Sequence, residues 1–238
     1  MAEYGFSVVL PTYKELENLR RLLPQLIDLF ARINKKFEII VVDDDSGDGT
    51  VEFVNTLRQE NKPVRIIDRK DERGVATAVI TGTNESSLST IVHMDSDLVH
   101  TVDDLEKLIT AYEHRKNEST LIIGSRYHPK SIYKGKPLLN RLASSLGRFI
   151  VRYYLHLPVK DSSNNFRVFS RELWEKIYPD LITEGNVFFI HILFLAHKQG
   201  VKFVEVPTTY IEREIGKSKL NVPKQTVLFF KSIFKDFK

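Results

Sequence analysis

Cysteine is absent from all 238 residues, which excludes a disulfide framework and any thiolate metal site. No apolar run approaches the roughly 20 residues that a membrane-spanning helix needs. Near the N-terminus, Val8-Val9-Leu10 runs directly into Pro11, too short a stretch for a secretory signal. The expectation is a cytoplasmic protein, neither secreted nor membrane-spanning. Glycine-rich phosphate loops are missing as well, with neither a P-loop nor a G-x-G-x-x-G, so a bound phosphate has to be met by a metal or by basic side chains. There is no internal repeat and no low-complexity linker. Acidic residues vanish between Arg126 and Lys160, where Lys130, Lys134, Lys136, Arg141, Arg148 and Arg152 also fall. The net charge of +4 and the pI of about 9.1 are concentrated there, which points to an anionic ligand or an anionic membrane face.

What is present is ample core material, with 42% hydrophobic and 28% charged residues, values of an ordinary folded domain. The first half alternates two periods. Phe6–Leu10, Phe37–Val42, Val64–Ile67, Thr90–Met94 and Leu121–Ile123 are short apolar runs that predict buried strands. Between them, Leu16 to Phe30, Thr50 to Leu57, Gly74 to Thr83 and Val102 to Tyr112 carry helical spacing. Strands that are apolar throughout, separated by amphipathic helices, predict an α/β fold with a doubly wound, mainly parallel sheet covered on both faces. The second half is less regular. It predicts a basic helix over Leu138–Leu155, a short strand over Phe166–Phe169, helices over Glu172–Ile177 and Phe188–Gln199, a strand over Val201–Val206 and a terminal helix over Thr226–Phe237.

Ligands of doubly wound sheets bind at the carboxyl ends of the strands. The residues there are Pro11-Thr12-Tyr13, Asp43-Asp44-Asp45, Asp68-Arg69, Asp95-Ser96-Asp97 and Gly124-Ser125-Arg126. Two carboxylates one residue apart, Asp95 and Asp97, can face one hard divalent cation such as Mg²⁺ or Mn²⁺, which bridges protein oxygens to substrate phosphates. Taken alone, a D-x-D is more often an Asx turn; its position in the sheet favours the cation. Asp43, Asp44 and Asp45 repel one another and need relief from donors, solvent or a cation. Asp43 can accept hydrogen bonds from a base or a ribose, while Asp48 suits a helix cap. Arg69, Arg73, Arg126, Arg213, Lys217 and Lys219 are the candidate phosphate contacts.

These segments resemble the polyprenyl-phosphate mannosyl- and glucosyltransferases of glycosyltransferase family 2. The resemblance is carried by Pro11-Thr12-Tyr13-Lys14-Glu15-Leu16-Glu17-Asn18-Leu19, by Val41 to Thr50, by Met94-Asp95-Ser96-Asp97-Leu98, by Gly124-Ser125-Arg126-Tyr127, by Glu205-Val206-Pro207 with Arg213, and by Gly216-Lys217-Ser218-Lys219. It implies a GT-A fold over 1–222, with a nucleotide-binding half at 1–125 and an acceptor half at 126–222, then an amphipathic helix at 223–238. It implies that Pro11, Tyr13, Glu15 and Asp43 line the nucleobase and ribose site, with Asp44 nearby. Asp95 and Asp97, with Ser96 between them, would hold the metal and the donor diphosphate. Arg126 would meet a donor or acceptor phosphate, and Arg213 and Lys219 would close over the diphosphate. Three departures stand out: Val99 where the family usually has Gln, Asn165 where Gly is usual, and His191 where Glu is common.

The implied reaction is inverting transfer of a sugar to a polyprenyl or dolichyl phosphate, with GDP-mannose favoured as donor over UDP-glucose. A phosphate acceptor is already anionic and needs positioning more than deprotonation. A hydroxyl acceptor would need a base, and Asp161 is the candidate. The basic stretch and the tail suit peripheral contact with the cytoplasmic face of a membrane. Two other readings stay open, a family 2 transferase for a soluble glycan or protein and a sugar-nucleotide-binding subunit with a weakened site. Nucleic acid is not an expected partner, because carboxylate-lined strand ends repel a phosphate backbone.

Overall fold

A computed structural model describes residues 2–115, 118–133, 151–182, 185, 187–211, 229, 232 and 237. The elements of the first half follow the two periods of the sequence. They are β1 (Glu3–Thr12), α1 (Leu16–Arg32), β2 (Phe37–Asp43), α2 (Thr50–Gln59), β3 (Val64–Asp68), α3 (Val75–Asn84), β4 (Leu88–His93), α4 (Val102–Glu113) and β5 (Thr120–Ser125). After them come β6 (Ile132–Tyr133), β7 (Arg167–Ser170), α5 (Arg171–Ile177) with a 3₁₀ turn at Tyr178–Asp180, α6 (Val187–Lys198), β8 (Lys202–Pro207) and β9 (Thr209–Tyr210). Of the predicted basic helix over 138–155, only residues 151–155 are described, and 151–154 are helical. The terminal helix, the 222/223 boundary, Arg213, Lys217 and Lys219 lie outside the described residues.

The seven-stranded sheet has the order β3-β2-β1-β4-β7-β5-β8. Every pairing is parallel except those of β7, which is antiparallel to both β4 and β5. A second sheet pairs β6 with β9. Alternate strand residues divide the core between the two faces, as the period-2 pleat requires. Val8, Leu10, Ile39, Val41, Val92, Ile122 and Val168 pack with the apolar stripes of α1 and α4. On the other face, Ile91, Leu121, Ile123 and Phe169 pack with α5 and α6, and Val9, Ile40 and Val42 pack with Ala78 of α3. Pro24 sits inside α1 but on its exposed side, where the lost backbone bond faces solvent. Burial on both faces leaves the carboxyl ends of the parallel strands as the place where polar side chains collect.

Candidate active site

The ends of the five parallel strands β1 to β5 and the loop before β7 build the site. At the end of β2, Asp43 accepts from the Ser46 amide at 2.9 Å and from Ser46 Oγ at 2.5 Å. Ser46 Oγ in turn accepts from the Lys14 amide at 2.7 Å, joining the β1 and β2 loops. Burial, the largest influence, raises the Asp43 pKa above its ordinary value, with the Ser46 contacts opposing it and Asp48 and Asp68 adding to it. Asp44 is relieved differently. Arg69 donates to its Oδ1 through Nε at 2.8 Å and through Nη2, and the Gly74 amide donates to Oδ2 at 2.7 Å. Arg69 is buried and is thereby committed to Asp44. Asp45, exposed and in a left-handed conformation, pairs with Arg73 at 3.5 Å. The expected mutual repulsion of the three carboxylates is thus met by a different donor set for each.

Asp48 does serve the helix termini, though α2 is capped at Gly49. Its Oδ1 accepts from the Thr50 amide and hydroxyl, and its Oδ2 from the Leu16 amide at 3.3 Å. One carboxylate therefore ties the starts of α1 and α2 together, where the helix dipoles favour a negative charge. Tyr13 lies half-buried with the Arg73 guanidinium 5.2 Å and Lys14 Nζ 5.4 Å from its ring. Glu15 accepts from Asn18 Nδ2 at 2.5 Å. Pro11 is the penultimate residue of β1, and its carbonyl accepts from Ser96 Oγ at 3.0 Å.

Beyond β4, Asp97 is buried and its Oδ1 accepts from the Val99 amide at 3.1 Å. This is the Asx turn that the D-x-D spacing allows, and it coexists with the strand-end position. Asp95 is partly exposed and accepts from Asn165 Nδ2 at 2.9 Å. Among the described residues no group of three His, Asp or Glu side chains is arranged to hold a metal. The donor set is two carboxylates with no softer ligand, and it suits a hard cation whose remaining ligands are diphosphate oxygens and water.

The loop from Lys160 to Phe166 was legible in the sequence mainly as a departure from a pattern, and the structure makes it the holder of Arg126. Asp161 is fully buried and grips Arg126 three times, at the backbone amide (2.9 Å), Nε (2.8 Å) and Nη2 (2.7 Å). Burial pushes the Asp161 carboxyl up, but the Arg126 charge and hydrogen bonds outweigh it and hold it below its usual value. Glu205, from the Glu205-Val206-Pro207 motif, accepts from the amides of Lys160 and Asp161 at 3.1 and 3.0 Å. Asn164 donates to the Gly124 carbonyl and accepts from the Phe166 amide, and it bonds His100 Nε2 at 3.0 Å. Arg167, fully buried, donates to the carbonyls of Phe189 and Ser162. Glu205, Asn164 and Arg167 carry no role in the sequence reading. Their signal is weak, for each is a polar residue beside a buried strand whose partner lies far along the chain.

The buried histidines nearby are held by neutral groups. His100 is buried, stacked on Phe166 at 4.6 Å, and lowered to about 4 by burial and by Arg126. His191 Nδ1 accepts from the Ile182 amide at 3.0 Å, and its ring meets Phe194 and Phe237. Val99 is buried, its amide taken by Asp97 and its carbonyl by the Ile211 amide.

A sequence model described as Glycosyl transferase family 2 matches residues 7–178. A dolichol-phosphate mannosyltransferase of Pyrococcus furiosus is 36% identical over 218 residues, covering 90% of this chain. The chain spans 58% of that protein's length. An undecaprenyl-phosphate mannosyltransferase of Micrococcus luteus is 30% identical over 217 residues, 90% of this chain and 86% of that protein. Among solved structures, glucosyl-3-phosphoglycerate synthase from Mycobacterium tuberculosis, in complex with Mn²⁺, UDP-glucose and phosphoglyceric acid, superposes with a TM-score of 0.67 at 17% identity. It covers 98% of this chain and 80% of that one. That likeness concerns the fold, which is GT-A.

Proposed function

The chain belongs to glycosyl transferase family 2, and from that premise we propose that it transfers mannose from GDP-mannose to a polyprenyl phosphate such as dolichyl phosphate. Relatives at 30% and 36% identity over nine tenths of the chain are named as mannosyltransferases acting on lipid phosphates, which supports the sugar and the acceptor class. The observation that carries the acceptor choice is Asp161. It is the carboxylate that the sequence offers as a candidate general base, and it is buried, ion-paired to Arg126 and lowered in pKa. A hydroxyl acceptor would need such a base, whereas a phosphate acceptor would not.

In this mechanism a phosphate oxygen of the acceptor attacks the anomeric carbon of mannose. The bond from that carbon to the diphosphate breaks, GDP leaves with the electron pair, and the anomeric centre inverts. No proton need be moved. Pro11, Tyr13, Glu15 and Asp43 receive the base and ribose. Asp95 and Asp97 would hold Mg²⁺ or Mn²⁺, which when bound offsets the charge developing on the leaving diphosphate. Arg126, fixed by Asp161, orients the acceptor phosphate, and Arg213 and Lys219 are assigned to the diphosphate. Among the described residues no helix is long and apolar enough to cross a membrane. The basic stretch beginning at Arg126 suits peripheral contact with the cytoplasmic face of a membrane that holds the lipid acceptor.

Calorimetric binding of GDP-mannose, UDP-glucose, GDP and UDP, with and without Mn²⁺, tests the donor site. Guanosine ligands are expected to bind in a metal-dependent way, and Asp97→Ala to lose that dependence. A folded wild type that binds no nucleotide in the presence of metal contradicts the assignment and favours a weakened binding subunit.

A further inference from the structure

Asn165 stands where the family pattern has glycine, and its side chain is 3% exposed. Its Nδ2 donates to Asp95 Oδ1 at 2.9 Å across 70 positions of chain. Its own Oδ1 is buried without a hydrogen-bond partner. The orientation follows from chemistry: an ionised carboxylate only accepts, so the amide must turn its NH₂ toward Asp95.

The surrounding loop does not need this amide. Asp161 binds Arg126, Asn164 binds the Gly124 carbonyl, and Arg167 binds the Phe189 and Ser162 carbonyls. These contacts hold the loop to β5 and α6 on either side of Asn165. Nor does packing call for it. An apolar side chain of similar volume would fill the space without burying an unpaired oxygen, which is unfavourable. What the asparagine adds over glycine or leucine is one N–H directed at one carboxylate.

We infer that Asn165 is a positioning residue for Asp95, holding that carboxylate in the rotamer from which it serves the metal and diphosphate of the donor. A neutral amide suits the task better than lysine or arginine would. It fixes the carboxylate by a hydrogen bond and leaves its full negative charge available to a cation. Groups that hydrogen-bond metal-ligating side chains typically account for about 10- to 100-fold in metal affinity. The loop that fixes Arg126 on the acceptor side would thereby also set the geometry of the donor carboxylate.

This inference rests on the donor-site reading above, and calorimetry separates the two. GDP or UDP, whichever the wild type binds, is titrated with and without Mn²⁺ into wild type, Asn165→Leu and Asn165→Gly. Asn165→Leu keeps the volume and removes the N–H, and Asn165→Gly restores the family residue should leucine prevent folding. The expected result is an at least tenfold loss of the Mn²⁺-dependent affinity in either variant, with metal-free affinity at the wild-type value. Wild-type affinity and metal dependence in a folded variant overturn the inference alone. An absence of nucleotide binding by the wild type overturns the donor-site reading and this inference with it.

Discussion

His93 and His100 are buried imidazoles held neutral, at about 3 and about 4 against an ordinary 6.5, with burial as the main cause. His93 touches Thr83 Oγ1 at 2.9 Å and sits edge-on to Phe169 and Trp174. As pH falls through 6.5 the unfolded chain takes up protons at these positions while the folded protein does not. Their contribution to stability is therefore complete above about 6.5 and is lost progressively toward the folded values. Each histidine should cost about 2 kcal/mol between neutral pH and roughly pH 5, at about 1.4 kcal/mol per pKa unit. Denaturant unfolding at the two pH values measures the loss, and His93→Gln should remove about half of it; equal stability at both contradicts the prediction. At this scale the site was partly legible. Asp43, Asp44, Asp95 and Asp97 stood out because an apolar strand that stops at a carboxylate marks a sheet edge. Their partners did not. Asp161 meets Arg126 from 35 positions away and Asn165 meets Asp95 from 70, and nothing periodic in the sequence encodes pairs of that separation. Arg69 illustrates the same limit, since as a lone arginine after a strand it looked available, and only the fold commits it to Asp44.

Among the elements, the parallel strands of the seven-stranded sheet and their helices emerged within a few residues of their observed ends, because both periods are strong there, whereas the two-residue strands β6 and β9 are too short to carry a period. The exception is β7. Its run predicts a strand but carries no direction, and the fold inserts it antiparallel between β4 and β5. That insertion brings the loop 160–166 to the parallel strand ends, where Asp161 meets Arg126 and Asn165 meets Asp95. Gly124, near the end of β5, is a place where the fit is tight. A Cβ there would lie 2.5 Å from Phe166 Cδ1 and 3.0 Å from Thr208 Cγ2. The Gly124 amide donates to the Phe166 carbonyl at 2.9 Å, and Phe166 stacks on His100. Gly124→Ala should force Phe166 aside and cost about 2 kcal/mol, the usual range for overpacking, seen as a midpoint lowered by roughly 5 °C. A midpoint at the wild-type value would show that the contact relaxes freely.

The molecule as a whole divides its charge along the chain. Carboxylates gather at the ends of β2 and β4, while residues 126–160 carry basic residues and no acidic ones. A metal-nucleotide on one side and an anionic lipid headgroup on the other would each meet complementary charge. The measurement that bears most directly on this account is transfer of radiolabelled mannose from GDP-mannose to polyprenyl phosphate in vesicles, with Mg²⁺ or Mn²⁺ and a soluble glycan acceptor in parallel. The account predicts a metal-dependent, solvent-extractable mannolipid that is absent with Asp97→Ala. Label in the soluble acceptor alone, or no transfer by folded protein that binds the nucleotide, would contradict it.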